Sequence, residues 1–437
     1  MFLLRTTVCT LLFCSALVAT APKEAERVRR VESVGRLWGS IQQYHPRLTG
    51  NSPEWDEAFA LAAEKIWNAP NNEVGVLAVD GLLATLKDPS THRVQPKGKS
   101  LVDLPTAMKP FTWLGEGVLL VHLNDFARLW DRPQNATPVL LPEIEKAGTV
   151  IFDLRPPKQE RKEQGMGASS WLVGGLFEIL LPYLTDKPIH LPGERSRLSM
   201  GTPPPDNPTS STYSAGVFIR QGQLIKPMAS KAKRIVFLVN DESNVSSGAL
   251  ALQHYGCARI VTEGDPTTDW SAEVEEASIF EDTKIEFRIS ELVFSDGTTG
   301  AHPDDCVKAS AYTDLRAPAV LKAIEVSKRE AFSPRSAQQF GSSVPEASAV
   351  EQDTGGQFPD LGHRLMSAVK FWTAVNGFFA YPHLLEKPWD GVLQDQLPRF
   401  AQAVNALEYQ QAVARFVACL QDSHGTVTKA FATNTPL

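Results

Sequence analysis

The chain states one pattern twice. Trp38, the pair Trp55-Asp56, and Asp88 with His92 close behind recur as Trp372, Trp389-Asp390, and Asp422 with His424. The two tryptophans of each set are 17 residues apart, and the second stands 33 residues before its aspartate. At this offset of 334 the apolar positions coincide as well: Leu37 with Phe371, Ile41 with Val375, Phe59 with Leu393, Ile66 with Phe400, Leu82 with Phe416 and Leu86 with Leu420. Two copies in fixed register with a shared apolar pattern point to a duplicated unit.

Within the first copy the spacing is helical. Val34, Leu37, Trp38 and Ile41 fall at i, i+3, i+4 and i+7. Ala58, Leu61, Ala62, Lys65 and Ile66 form a second such stripe, and Val76, Val79, Leu82, Leu83 and Leu86 a third, which stops at Asp88-Pro89-Ser90. Residues 24–94 are therefore expected to be a helical bundle, and residues 363–437 a second bundle repeating it as a truncated unit.

Between them the period changes. Residues 117–122, 149–154, 234–240 and 258–261 read as strands, the second a near-continuous apolar run suited to a sheet buried on both faces and the third another buried strand. Helical patterns at 171–184 and 249–254 alternate with them, so residues 105–326 are expected to form a mixed α/β core with parallel pairing. Residues 156–167 and the proline- and serine-rich stretch 192–210 read as surface excursions. Residues 327–362, rich in Ser, Gln, Glu, Pro and Gly, read as a linker.

Charge and composition limit the partners. A net charge of −7 without a basic cluster argues against nucleic acid. Arg5, an apolar run and Ala19-Thr20-Ala21 give residues 1–21 the layout of a secretory signal peptide, so an extracytoplasmic protein, periplasmic or secreted, is expected. No other segment approaches the 18 apolar residues of a membrane span, so the remainder is expected to be soluble. Cys257, Cys306 and Cys419 are widely spaced and supply neither a disulfide framework nor a metal-ligand spacing. Neither a metal nor an organic cofactor is implied.

The strongest chemical candidate is the turn after the 234–240 strand, Asp241-Glu-Ser-Asn-Val-Ser-Ser-Gly248. A serine at a strand-to-helix junction exposes its hydroxyl beside helix N-terminal N–H groups that can stabilise an oxyanion. The plainer role for Ser246 and Ser247 is helix capping. His92, in the loop that leaves the first bundle, is positioned in sequence to act as a general base, although a loop histidine is more often simply solvated.

These residues together resemble a known family. The run from Arg36 to Pro46, then Trp55-Asp56, Asp88 and Thr91-His92, is similar to the N-terminal helical region of the tricorn and C-terminal-processing serine peptidases. The strand 150–155 resembles that family's central strand, 236–240 with Ser246-Ser247-Gly248 its nucleophile turn, and Asp296-Gly-Thr-Thr-Gly-Ala-His-Pro-Asp304 its closing segment. The resemblance implies a core of the ClpP/crotonase type, without a peptide-binding PDZ insert. It makes Ser246 the nucleophile, with Ser247 the alternative, and His92 the base, while Asp296 stands beside the place of a family glutamate. The substrate would be a peptide or protein.

Three departures bear on activity. Pro156-Pro157 stands where the family has a glycine turn that donates an oxyanion-hole amide, and proline has no N–H. The glutamate expected shortly before Pro303-Asp304 is absent, and Ala249 replaces another after the nucleophile turn. Two outcomes therefore stand: an exported serine endopeptidase, or a catalytically inactive peptidase-like binding or scaffold protein. Oligomeric state is left open.

Overall fold

The computed structural model describes residues 23–48, 52–94, 110–115, 117–123, 133–155, 168–200, 214–228, 233–240, 243–264, 268–308, 317–329, 358–379, 381–422, 425 and 427. The expected signal segment, Pro156 and Pro157 with the loop that follows them, residues 330–357 of the expected linker, and His424 lie outside the described residues.

Three helices open the chain: α1 (Glu24–Tyr44), α2 (Pro53–Asn68) and α3 (Asn72–Ala84). Pro53 occupies the first position of α2, where a missing N–H costs nothing. The Asn71 side chain caps α3 by accepting the N–H of Val74. Lys87, three residues past α3, takes a left-handed φ of 50° and turns the chain toward Asp88.

The central region follows as β1 (His92–Arg93), β2 (Phe111–Trp113), β3 (Val118–His122), α4 (Pro133–Lys146), β4 (Thr149–Asp153), α5 (Ala168–Leu180), β5 (Ile189–His190), β6 (Gly193–Met200), β7 (Ser214–Arg220), β8 (Leu224–Ile225), β9 (Arg234–Asn240), α6 (Ser247–His254), β10 (Ala258–Glu263), β11 (Ala272–Ile279), β12 (Thr283–Val293), β13 (Asp305–Val307) and α7 (Pro318–Ser327). It is a mixed α/β arrangement of two main sheets.

The first sheet has the order β13-β10-β9-β4-β3-β2 and is parallel except for β2. Its strands are apolar on both faces because both are covered. Leu119, Val121, Val150, Phe152 and Phe237 pack toward α4, α5 and α6, while Leu120, Ile151, Val236, Leu238 and Val261 pack toward α7.

The second sheet is antiparallel. β12 pairs with β11 along one edge, and with β1 and β6 end to end along the other, and β7 follows β6. β6 falls inside the stretch 192–210 that the sequence suggested was a surface excursion. Residues 193–200 are a strand instead, whose buried Arg195 ends on the buried carboxylate of Glu291. Charge at a buried strand position is what disguised it.

The chain closes with α8 (Leu361–Phe378), α9 (Trp389–Gln402) and α10 (Ala406–Ala418). At the offset of 334, α9 and α10 end where α2 and α3 end, and Asn405 caps α10 as Asn71 caps α3. Gln421, at the place of Lys87, has a φ of 51°. Arg30 donates to the carbonyl of Ala69 just past α2, and Arg364 to those of Phe400 and Ala401 at the end of α9.

The two bundles pack against each other through corresponding residues. A methyl group added to Gly35 would lie 2.8 Å from Val369, and one on Gly39 would lie 2.7 Å from Thr373. Further along, Gly377 faces Gln43 in the same way at 2.7 Å. Contacts of 35 with 369, 39 with 373 and 43 with 377 mean that α1 and α8 run side by side in the same direction. Two ion pairs cross between the bundles at corresponding places: Arg36 with Asp390 at 3.0 Å, and Lys370 with Asp56 at 2.7 Å. One continuous core joins both bundles to Ile279, Phe280, Ile285 and Phe287 of the antiparallel sheet.

Candidate functional site

The serine turn leaves the carboxyl end of β9, a central strand of the parallel sheet, where α/β proteins commonly bind ligands. Ser243 folds the turn: its hydroxyl accepts the N–H of Asn240 at 2.9 Å and donates to that residue's Oδ1 at 3.0 Å. Ser246 is the N-cap of α6, with its Oγ accepting the N–H of Ala249 at 3.3 Å, and Ser247 is the first helical residue. Gly248 permits close packing, since a Cβ there would sit 3.0 Å from Leu181 and 3.2 Å from Phe177.

Beside Ser246 is a cavity of about 10 Å³ lined by Leu123, Leu154, Gly174, Phe177, Asn244 and Ala249. That is room for about one water. Among the described residues, none that lines the cavity titrates.

His92 belongs to the other sheet. It stands opposite Glu286 in the β1–β12 ladder, its side chain is 52% exposed, and its Nε2 lies 4.0 Å from Glu286. It makes no hydrogen bond with Ser246 or Ser247. Asp296 sits beyond the far end of α6, its Oδ2 3.3 Å from Nε2 of His254 and its Oδ1 accepting the N–H of Thr298. Burial opposes its ionisation, but the Thr298 hydrogen bonds and His254 outweigh this and hold the carboxyl below its usual range. Eight residues of helix separate Ser246 from His254, roughly 12 Å at 1.5 Å per residue. The four candidate residues thus divide into the serine pair at one end of α6, Asp296 toward the other, and His92 on the antiparallel sheet.

Two buried charged clusters were not singled out by sequence. The first ties the first bundle to the antiparallel sheet. The Asp88 carboxylate accepts from Arg288 at 2.7 Å, from Thr91 Oγ1 at 2.8 Å and from His45 Nε2 at 3.1 Å. Arg288 also reaches Asp269 and Glu291, and Glu291 in turn receives Arg47 and Arg195. Burial opposes the Asp88 charge, but His45 and Arg288 hold its pKa far below the usual carboxylate range. Burial likewise dominates His45 and pushes its pKa down. The ring Nδ1 accepts the N–H of Arg47 at 3.3 Å, so the neutral tautomer with Nε2–H toward Asp88 satisfies both nitrogens. Three carboxylates balance three guanidinium groups, a composition suited to joining two elements.

The second cluster lines the carboxyl edge of the parallel sheet. Arg155 holds Asp153 through two hydrogen bonds of 2.9 and 2.8 Å and Glu263 through a third at 2.5 Å, and His122 Nδ1 lies 3.4 Å from Asp153. Burial opposes the charge on Asp153, yet Arg155 and His122 bring its pKa down to about 2. Strand alternation assigns the sides. Asp153 follows Ile151 and Glu263 follows Val261 onto the α7 face, whereas Leu123, Leu154 and the serine turn lie on the α6 face. His122 and Asp153 are therefore across the sheet from Ser246. Charged residues ending apolar strands were the available sequence signal for this cluster; nothing comparable marks Arg288 or Glu291.

No known family profile matches the chain, and no curated protein matches it. Solved structures do show similarity. One is a Parabacteroides merdae protein with a provisional peptidase assignment, at 11% identity and a TM-score of 0.37, covering 70% of this chain and 97% of that one. Another is a lipoprotein from Streptococcus agalactiae, at 10% identity and a TM-score of 0.30, covering 71% and 98%. A third is the photosystem II D1 C-terminal processing protease, at 16% identity and a TM-score of 0.25, covering 47% of this chain and 45% of that one. Among the described residues no helix is long and apolar enough to cross a membrane.

Proposed function

We propose that this chain is a divergent, exported relative of the tricorn and C-terminal-processing serine peptidases. On this reading its core is of the ClpP/crotonase type, its two bundles arose by duplication, and it binds peptide or protein partners without hydrolysing them. The observation that carries the non-hydrolytic part is the setting of Ser246. Its hydroxyl caps α6 over an apolar cavity of about 10 Å³ in which no described lining residue titrates, whereas a nucleophilic serine needs a base within hydrogen-bond reach.

The second reading is a serine endopeptidase with Ser246 as nucleophile and His92 as base. It is favoured by the place of Ser246 between a central parallel strand and a helix N-terminus. Labelling with a fluorophosphonate probe and hydrolysis of a mixed peptide library separate the two. Wild type, Ser246→Ala and Ser247→Ala are expected to remain unlabelled and to share one background rate. Labelling of wild type that Ser246→Ala abolishes would establish the hydrolase.

A further inference from the structure

The outer face of α2 and α3 carries a broad apolar groove of about 950 Å³. Leu61, Val74 and Leu77 line it while exposing 53%, 42% and 67% of their surface. The second bundle offers an internal control. At the offset of 334 the same three places hold Asp395, Glu408 and Gln411, all exposed. The same helix layout thus folds with polar residues there, so folding does not require apolar ones. An exposed aliphatic stripe that the scaffold does not need marks a contact surface.

The charges along α2 indicate the occupant. Glu57 and Lys65 are equidistant from Leu61, and so are Glu54 and Asn68; all five line the groove. If a second α2 is laid antiparallel across the first with Leu61 on the two-fold axis, Glu57 meets the partner's Lys65 and Lys65 meets the partner's Glu57. Glu54 then meets the partner's Asn68. One Glu57 oxygen, Oε2, is engaged by His363, which leaves Oε1 for the crossing pair. The second bundle lacks this order, with Gly391, Asp395 and Arg399 in place of Glu57, Leu61 and Lys65.

We propose that the α2–α3 face is the interface of a two-fold homodimer, in which two hairpins from two chains close into a four-helix bundle with Leu61 on the axis. Two helical hairpins stacked face to face are an established way to build such a bundle, with axes about 20° from antiparallel. An isologous contact of this kind must be self-complementary, and the sequence order Glu57–Leu61–Lys65 is. Gly81 on α3 has open space beyond it, which leaves room for a partner side chain in the groove.

Sedimentation equilibrium on the full chain tests this over a range of concentrations. The wild type should dimerise. Leu61→Asp installs the residue the second bundle carries at 395 and should raise the dissociation constant by roughly thirtyfold or more, since a central contact is lost on both chains at once. Because Leu61 is exposed in the monomer, circular dichroism should stay unchanged, and the thermal midpoint should match wild type at protein concentrations low enough for both to be monomeric. Glu57→Lys and Lys65→Glu should each weaken the dimer by setting like charges opposite one another, and the double substitution should restore it. A wild type that stays monomeric at about 0.5 mM, well above the micromolar constants of ordinary dimers, overturns the proposal. So does a dimer indifferent to Leu61→Asp, or a charge-reversed double variant that fails to regain affinity.

Discussion

The two helical bundles share helix order, an asparagine cap on the third helix and a left-handed residue at the same place, yet they hold their tryptophans differently. In the second bundle the indole N–H of Trp372 donates to the carbonyl of Trp389 at 3.1 Å, and that of Trp389 donates to the carbonyl of Trp372 at 3.0 Å. In the first bundle the indole N–H groups of Trp38 and Trp55 are buried and have no hydrogen-bond partner among the described residues. The first bundle compensates outward. Its Asp88 is locked to Arg288 of the antiparallel sheet, whereas Asp422 is exposed. The two bundles thus differ in direction: the second pairs its tryptophans inward, and the first docks to the sheet.

The largest expected effect breaks that docking. Arg288→Met should destabilise the protein by about 3–5 kcal/mol, because it leaves Asp88, Asp269 and Glu291 buried without their shared cation. Asp422→Asn in the second bundle should cost under about 1 kcal/mol. Urea unfolding followed by tryptophan fluorescence reads both, and equal losses would mean the two aspartates do the same job.

A smaller difference should appear between the tryptophans. Trp372→Phe removes a made hydrogen bond, while Trp38→Phe removes an indole N–H without a partner among the described residues. The loss at 372 should exceed that at 38 by about 1 kcal/mol, measured in the same denaturation experiment. The reverse order would contradict the hydrogen-bond pattern.

The smallest effect is in pH dependence, where the bundles carry opposite signs. Burial lowers the pKa of His45 in the fold, so its contribution is present above pH 6.5 and is lost as pH falls below that value, where the unfolded chain takes up the proton. Burial also opposes the charge on His363, but Asp360 and Glu57 outweigh it and raise that pKa. The His363 contribution is present below pH 6.5 and lost as pH rises through the folded value. It should be small, because the group is more than a third exposed. Unfolding midpoints from pH 5 to pH 8 should lose their acid-side fall in His45→Phe, which introduces the residue found at 379. They should lose the slight alkaline-side fall in His363→Ala.

Sequence legibility followed the nature of the burial. β3, β4, β9 and β10 were readable because parallel strands covered on both faces are apolar runs. The first-bundle helices were readable from their spacing. The antiparallel sheet was not, because its inner positions include Arg195, Arg197, Arg288 and Glu291, which in sequence resemble solvent-facing charges. Only their pairing across the chain buries them. α4 was missed for a related reason: Pro138 and Pro142 lie inside it and read as breakers. At the candidate site, the strand–turn–helix around Ser246 was legible from local pattern. The surroundings of His92 were not, because β1 takes its place from a ladder partner almost 200 residues away.

The side-by-side pairing of α1 with α8 also sets a clock. The partner that closes over Gly35 and Gly39 is encoded 334 residues later. At a synthesis rate of about 5–20 residues per second, it emerges from the ribosome roughly 17–67 s after α1 does. Throughout that interval Val31, Val34 and Leu37 have been made but the core they share with Leu365, Val369 and Trp372 has not. The parallel sheet, whose strands and covering helices are complete by Ser327, can consolidate during the wait. The N-terminus is thus synthesised early and finished late, and a nascent chain stalled before Leu361 presents an uncovered apolar helix to whatever chaperone meets it.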